Sequence, residues 1–219
     1  MPRLCRSPRL LARFITFTGA LALSLGLTVL AARGTIVGLN QIVTPDIQPA
    51  GVLSLSAQAQ HPAIGNSRQI QFELGLTPRC EVAWFQGLKP AEGFFSTELN
   101  LFQQGPQLLT VGAINWSTRG SPAQPVVEYG YYTDTDHLVV GGIHAGGHDE
   151  LLLGYKRQLT EQFQISADFQ SGSGNSATVG FNYNFTPALS INPAFYWTNS
   201  RPHHLLGYVV LTYNLTVWK

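Results

Sequence analysis

Hydrophobic and polar residues alternate along most of the chain after about residue 51. In the stretch SATVGFNYNF, residues 176–185, every odd-numbered position is apolar or aromatic and every even-numbered position is small or polar. Successive side chains of a β-strand point to opposite sides, so this period of two predicts a strand with one apolar and one polar face. The same period of two recurs in segments from Gly51 onward, and no window shows a convincing helical period of 3.6 residues.

The alternation predicts twelve strands. They lie near 52–60, 68–77, 80–86, 93–103, 107–116, 125–133, 137–145, 150–158, 162–170, 176–185, 188–198 and 205–217. The segments between them alternate between tight turns, such as Gln104-Gly105-Pro106, and segments that are generally longer and rich in Gly, Pro and His, such as NSRPHH. Short turns at one end and longer loops at the other are typical of outer-membrane barrels. We therefore expect an all-β fold, an antiparallel up-and-down transmembrane β-barrel of twelve strands.

Strand length and aromatic positions indicate which face meets lipid. A strand of ten residues tilted by about 40° spans about 25 Å, the height of the apolar band of such barrels. With strands running alternately up and down, aromatic residues gather at two levels, as interfacial girdles require. The loop-end group is Trp84, Phe94, Phe95, Trp116, Phe169 and Trp197, and the turn-end group is Phe102, Tyr131, Phe163, Tyr183, Phe185, Tyr213 and Trp218. The apolar faces are therefore expected to meet lipid and the polar faces the lumen.

The charge content agrees with a surface that largely avoids water. Charged residues make up 11% of the chain, whereas soluble domains average about 25%. After residue 33 the lysines are Lys89, Lys156 and Lys219. No cluster of Lys and Arg suggests a nucleic-acid surface, so nucleic acid is not expected as a partner. A soluble lipocalin-like barrel is the alternative fold. It would carry outward-facing Lys and Glu at the positions between the apolar residues of each strand, where this chain has Ser, Asn, Gln, Thr and Gly.

The first residues predict export. Four arginines between Arg3 and Arg13 precede the apolar run FITFTGALALSLGLTVLAA, which ends in small residues. This is the pattern of a secretory signal peptide. The competing interpretation is an uncleaved membrane anchor, which also has a long apolar run. We assign residues 1–32 to the signal peptide, 33–50 to a periplasmic lead-in broken by Pro45, Asp46 and Pro49, and 51–219 to the barrel. Cys80 would then be the single cysteine, with no disulfide partner.

Two segments carry a resemblance to known proteins. The lead-in GLNQIVTPDIQPAGVLSL and the final strand LLGYVVLTYNLTVW resemble the corresponding parts of bacterial outer-membrane β-barrel proteins of the small porin-like kind, although here Lys219 follows the terminal aromatic residue. The resemblance implies localisation in the bacterial outer membrane, with membrane lipid and the barrel assembly machinery as partners. It leaves the oligomeric state open.

The polar face predicts the chemistry of the lumen. By strand parity, the residues expected to line a pore are Glu73, Glu81, Glu98, Asn100, Glu128, Lys156, Asp168, Asn182 and Asn192. Inward charges must be wet or paired, so we expect a mildly acidic channel for passive diffusion of small polar solutes. A non-conducting structural or surface-binding barrel is the first alternative, because twelve strands lie between filled and open barrels. A barrel-borne hydrolase is the second.

Catalytic and metal sites receive little support from the sequence. No serine lies beside a histidine in the assigned register, so no nucleophile–base pair emerges and we do not expect an enzyme or a cofactor. His144 and His148, with Asp149 beside them, are weak candidates for a metal site at the outer mouth. Their spacing lies on a Gly-rich loop without a helix to align the rings, so solvated loop histidines are the competing interpretation.

Overall fold

The alternating residues form twelve antiparallel strands that close into a barrel. A computed structural model describes residues 38–218. Each strand pairs with its neighbours in chain order, and β1 pairs with β12 to complete the ring. The predicted twelve-stranded up-and-down barrel is therefore confirmed. The predicted signal peptide, residues 1–32, and the first residues of the lead-in lie outside the described residues. Within residues 38–218, no helix is long and apolar enough to cross a bilayer.

The strands are close to their predicted positions. They are β1 Val52–Gln60, β2 Arg68–Thr77, β3 Cys80–Leu88, β4 Ala91–Gln104, β5 Gln107–Ser117, β6 Gln124–Tyr132, β7 Asp136–Ala145, β8 His148–Gln158, β9 Phe163–Gln170, β10 Ser176–Asn184, β11 Leu189–Thr198 and β12 Leu205–Thr216. Odd-numbered strands run from the turn end of the barrel to the loop end. Even-numbered strands run back, so both ends of the barrel sequence lie at the turn end.

The two faces of the wall meet different surroundings. On β7, Leu138 and Val140 are 51% and 50% exposed, whereas Val139 between them is 2% exposed. Large apolar side chains such as Phe72 and Phe181 are exposed on the outside, and polar side chains such as Ser54 and Asn182 are buried inside. A contiguous apolar exterior around a polar interior is the arrangement of a barrel that lies in lipid.

The loops at the loop end are shorter than predicted in two places. Lys89-Pro90 joins β3 to β4, and Gly146-Gly147 joins β7 to β8, so most of GLKPAEG and AGGHDE belongs to strands. Both glycines adopt positive φ, 58° and 83°, as a two-residue type I′ hairpin turn requires. The longer loops cover residues 61–67, 118–123, 171–175 and 199–204.

The segment predicted as a periplasmic lead-in lies inside the barrel. We call residues 38–48 the luminal segment. Its residues Leu39, Asn40, Ile42, Thr44 and Gln48 are all buried. Proline and turn-forming residues prevent it from joining the sheet, but the polar inner wall supplies partners for its backbone and side chains. The described part of the lead-in is therefore a filling of the lumen, which corrects the predicted position.

Candidate functional site

Asn40 fixes one end of the luminal segment to β9–β11. Its backbone N–H donates to Asp168 Oδ2 at 2.7 Å, and the N–H of Gln41 donates to the same oxygen at 3.1 Å. Its side-chain amide donates to Thr178 Oγ1 at 3.0 Å. Three further groups donate to Asn40, namely Ser166 Oγ, Asn192 Nδ2 and Tyr196 OH. Asn40 thus makes hydrogen bonds with three adjacent strands.

Apolar contacts hold the luminal segment against the neighbouring strands, β5–β8. Leu39 and Ile42 belong to one buried cluster with inward-facing wall residues. Those wall residues are Ile114, Val126, Val139, Ile143 and Leu152. Gly154 makes room for the segment, because a Cβ atom there would lie against the side chains of Leu39 and Ile42. Apolar residues are unexpected inside a water-filled lumen, and here they pack against the segment instead.

The remainder of the luminal segment fills the lumen towards the turn end. Gln48 donates from its backbone to Glu81 Oε2 and from its amide to Ser54 Oγ, both at 2.5 Å. The carbonyl of Pro45 accepts from Thr110 Oγ1 at 2.8 Å. Asp46 accepts from Tyr132 OH at 3.0 Å, and its Oδ2 lies 3.8 Å from Lys156 Nζ. The segment therefore contacts strands on all sides of the barrel.

All nine residues that the sequence assigns to the lumen point inwards. Glu73 is half-buried and lines a cavity, while Glu81, Glu98, Asn100, Glu128, Lys156, Asp168, Asn182 and Asn192 are buried. Glu81 and Glu98 are direct neighbours across β3 and β4. Within the described residues, Glu98 Oε1 and both carboxylate oxygens of Glu128 have no hydrogen-bond partner.

A cavity of about 360 Å³ remains between the luminal segment and the loop end. The segment forms its floor through residues 38–43, and Ile64 of the first long loop lies at its rim. The deep end, beside β2–β4, carries the carboxyl groups of Glu73, Glu81 and Glu98. The lumen therefore contains a vestibule that reaches the loop end and ends on the luminal segment.

The sequence reasoning missed the luminal segment and the wall that receives it. One signal was available: Leu138-Val139-Val140 and Leu151-Leu152-Leu153 are apolar at three successive positions, so both faces of these strands are apolar. An apolar inner face requires an apolar partner inside the barrel. Nothing in the alternation itself identifies Leu39 and Ile42 as that partner, because the lead-in has no strand pattern.

The weak metal candidates do not assemble into a site. His144 Nδ1 lies 2.7 Å from Asp149 Oδ1 across β7 and β8, and both side chains are exposed. His148 is paired with Ala145 in the register of the same hairpin. In the part of the chain that the structure describes, no group of three or more His, Cys, Asp and Glu side chains could hold a metal ion.

Two inward serines, Ser54 and Ser56, bond to polar side chains of β12 and not to a histidine among the described residues. Ser54 Oγ donates to Asn214 Oδ1 at 2.5 Å, and Ser56 Oγ lies 2.8 Å from Thr212 Oγ1. Both pairs lie across β1 and β12 and cross-link the closing strands of the barrel. Their geometry therefore supports a role in barrel closure.

Two solved structures with a similar fold are porins. The KdgM porin in complex with disordered oligogalacturonate superposes with a TM-score of 0.54 at 8% identity, covering 74% of this chain and 98% of that one. The NanC porin superposes with a TM-score of 0.51 at 7% identity, covering 73% and 97%. No protein-family model and no curated protein matches the sequence. The chain thus has the fold of outer-membrane porins, at identities that show the fold alone.

Proposed function

We propose that this protein is a bacterial outer-membrane channel for passive diffusion of small polar solutes, closed in this structure by its own luminal segment. The observation that carries the proposal is the two-sided wall: an apolar exterior that suits lipid surrounds a polar interior with a vestibule at the loop end. The porin fold supports transport rather than catalysis. Export through the signal peptide and insertion by the barrel assembly machinery belong to the same proposal.

The charges of the lumen define which solutes the channel favours. Carboxyl groups of Asp46, Glu73, Glu81, Glu98 and Glu128 face the interior, with the ammonium group of Lys156 beside Asp46. A lumen with this balance attracts cations and repels anions. The solved KdgM porin holds oligogalacturonate, which is a polyanion. We infer that this channel prefers neutral or cationic solutes instead.

Conductance of the refolded protein in a planar bilayer tests the channel. We expect the wild type to open rarely, because the luminal segment must leave its hydrogen bonds and its apolar contacts first. The double variant Asn40→Ala/Ile42→Ser removes the side-chain hydrogen bonds of Asn40 and the apolar contacts of the Ile42 side chain, and it leaves the barrel wall intact. Each lost buried hydrogen bond weakens the closed state by about 1 kcal/mol and the lost Ile side chain by about 2 kcal/mol or more. The open fraction should therefore rise at least about tenfold.

Gln41→Ala provides the matched control. Gln41 lies on the same segment, but among the described residues its side chain makes only one long hydrogen bond, 3.4 Å to Gln170. This variant should open as rarely as the wild type. A double variant that folds, as shown by heat-dependent migration in SDS gels, but never conducts would contradict the channel.

The filled lumen favours one other function, a non-conducting barrel that acts as a structural or surface-binding protein. Gln48, Thr110 and Glu128 are fully buried, so the half of the lumen nearer the turn end is densely filled in this structure. In that case neither the wild type nor the Asn40→Ala/Ile42→Ser variant would conduct ions. The vestibule would then be a dead-end pocket on the cell surface.

A further inference from the structure

The vestibule above the luminal segment has a composition that suits one class of ligand. We propose that it binds a neutral polyhydroxylated molecule of the size of a mono- or disaccharide. The inference deepens the proposed function and rests on it for the transport of that ligand, but binding itself does not require the lumen to open. The cavity of about 360 Å³ lies within the range of about 300–1,000 Å³ that is usual for small-molecule sites.

Side-chain amides dominate the polar wall. The barrel wall contributes Gln58, Gln60, Gln69, Gln71, Gln124 and Gln170 to the cavity lining, and the luminal segment contributes Gln41. Three of them form a ladder: Gln71 Nε2 donates to Gln58 Oε1, whose own amide donates to Gln60 Oε1 at 2.8 Å. Among the described residues, this leaves Gln71 Oε1 and the whole amide of Gln69 for a ligand. An amide offers both donors and an acceptor, and a hydroxyl group is the ligand group that can use either.

The carboxyl groups of the cavity, without a cationic side chain beside them in its described lining, disfavour an anionic ligand. Glu73, Glu81 and Glu98 lie at its deep end, and the lining contains no Lys or Arg among the described residues. Glu98 is 4% exposed, and its Oε1 has no partner within the described part of the chain. A buried acceptor without a partner costs free energy, so a ligand that donates a hydrogen bond to it gains that energy. Hydroxyl groups and ammonium groups both donate.

The amides decide between those two donors. An ammonium group has no acceptor, so it would leave the N–H groups of Gln69 and Gln124 without a ligand partner. A polyhydroxylated ligand can donate to Glu98 and accept from the amides at the same time. Its fit therefore uses both kinds of polar group in the cavity.

An aromatic wall completes the site. Phe85, Tyr196 and Tyr208 line the cavity, and the rings of Tyr196 and Tyr208 lie 5.5 Å apart between centroids. Small-molecule sites combine apolar and aromatic surface with a few polar groups that orient the ligand. A sugar ring has a C–H face that can lie against such rings while its hydroxyl groups meet the amides and carboxylates.

Isothermal titration calorimetry with the refolded protein tests the proposal, in a zwitterionic detergent because sugar-headed detergents would compete. The probes are maltose, cellobiose and sucrose as neutral disaccharides, digalacturonate as the acidic counterpart, and spermidine as a cation. We expect saturable binding of at least one neutral disaccharide. Digalacturonate and spermidine should each bind at least tenfold more weakly.

Two sets of variants separate the competing explanations. Gln69→Leu/Gln71→Leu should weaken disaccharide binding at least tenfold, whereas Gln164→Leu, an amide on the same inner wall but outside this cavity, should leave it unchanged. Glu73→Gln/Glu98→Gln removes the carboxyl groups but keeps one acceptor oxygen in each side chain, so it should weaken disaccharide binding less than Gln69→Leu/Gln71→Leu does. Heat-dependent migration in SDS gels shows that each variant is folded.

The outcomes that overturn the proposal are equally specific. Spermidine binding more tightly than every disaccharide, and lost in Glu73→Gln/Glu98→Gln, would define a cation site instead. No saturable binding of any of the three disaccharides to folded wild type would remove the saccharide site. Disaccharide binding without conductance in the Asn40→Ala/Ile42→Ser variant would contradict the channel but support the saccharide site. Conductance without disaccharide binding would support the channel and contradict the saccharide site.

Discussion

Single residues on the wall meet lipid or the lumen according to their position in the two-residue period. Gln71 and Phe72 are successive residues near the middle of β2. Gln71 lines the vestibule, and Phe72 is 41% exposed on the outer face. These two neighbouring residues thus place their side chains in different surroundings, the lumen and the lipid. The same substitution at both positions therefore measures its cost in each surrounding separately.

Arginine at these two positions should have opposite consequences. On the lipid face near the bilayer midplane an arginine costs about 2–4 kcal/mol, whereas in a wet lumen the cost is small. We therefore expect Phe72→Arg to lower the yield of folded, heat-modifiable barrel in lipid vesicles severalfold, and Gln71→Arg to fold like the wild type. Equal yields for the two variants would contradict the inside–outside assignment of β2.

The alternation within each strand predicts most of the inward-facing residues, because the direction of a side chain depends on its position in its own strand alone. The alternation of β4 and β10 places Glu98 and Asn182 inwards, and both are 4% exposed. Val139 and Leu152 are not among the residues predicted to line the lumen, although they are 2% and 1% exposed. Their inward position follows from contact with Leu39 and Ile42, which lie about a hundred residues earlier in the sequence. Local periodicity carries no information about such a contact.

The luminal segment is the element that most changes the interpretation of the fold. It pairs with the barrel mainly through side chains, as in the hydrogen bonds of Asn40 and Gln48. Strands reveal themselves in a sequence by alternation, but a segment held by side chains has no required period. The fold of the barrel could therefore be predicted, and the filling of its lumen could not.

Glycines on the wall mark where this element approaches the sheet. At Gly180 a Cβ atom would collide with the side chain of Asn40, and at Gly130 it would lie 2.7 Å from Pro45 Cγ. At Gly154 it would lie 3.0 Å from Ile42 Cδ1 and closer still to Leu39. At Gly207 of β12, in contrast, no atom lies within 4 Å. The chain thus offers a test position and a matched control in the same kind of strand.

Gly154→Val should displace the luminal segment without disrupting the barrel. The added side chain occupies the space of Leu39 and Ile42, and overpacking of this kind costs about 1–3 kcal/mol. Most of that cost falls on the closed state, so the open fraction in a planar bilayer should rise about five- to a hundredfold. Gly207→Val should fold and conduct like the wild type. An unchanged open fraction in folded Gly154→Val would mean that the segment does not close the channel.

At the scale of the whole molecule, carboxyl groups outnumber ammonium groups on the described part of the inner wall. Most of its carboxyl groups belong to β2, β3, β4 and β6, while Lys156 of β8 is already paired with Asp46. In the closed structure these carboxyl groups are buried in the packed interior. In the proposed open state, water would reach these groups and their field would extend across the passage, because low-dielectric walls focus the potential of charges that line a narrow channel.

The open channel should therefore select cations, and neutralising two carboxylates should reduce that preference. Glu73→Gln/Glu98→Gln, made in the Asn40→Ala/Ile42→Ser background, keeps size and polarity, so a change reports charge alone. We expect its reversal potential under a salt gradient to move towards zero. The preference of the parent should also weaken at 1 M salt, where the Debye length falls to about 3 Å. Glu161→Gln, an exposed carboxylate in the turn between β8 and β9, should leave the reversal potential unchanged. Selectivity that is indifferent to the double substitution would place these carboxylates outside the ion path, even if the barrel conducts.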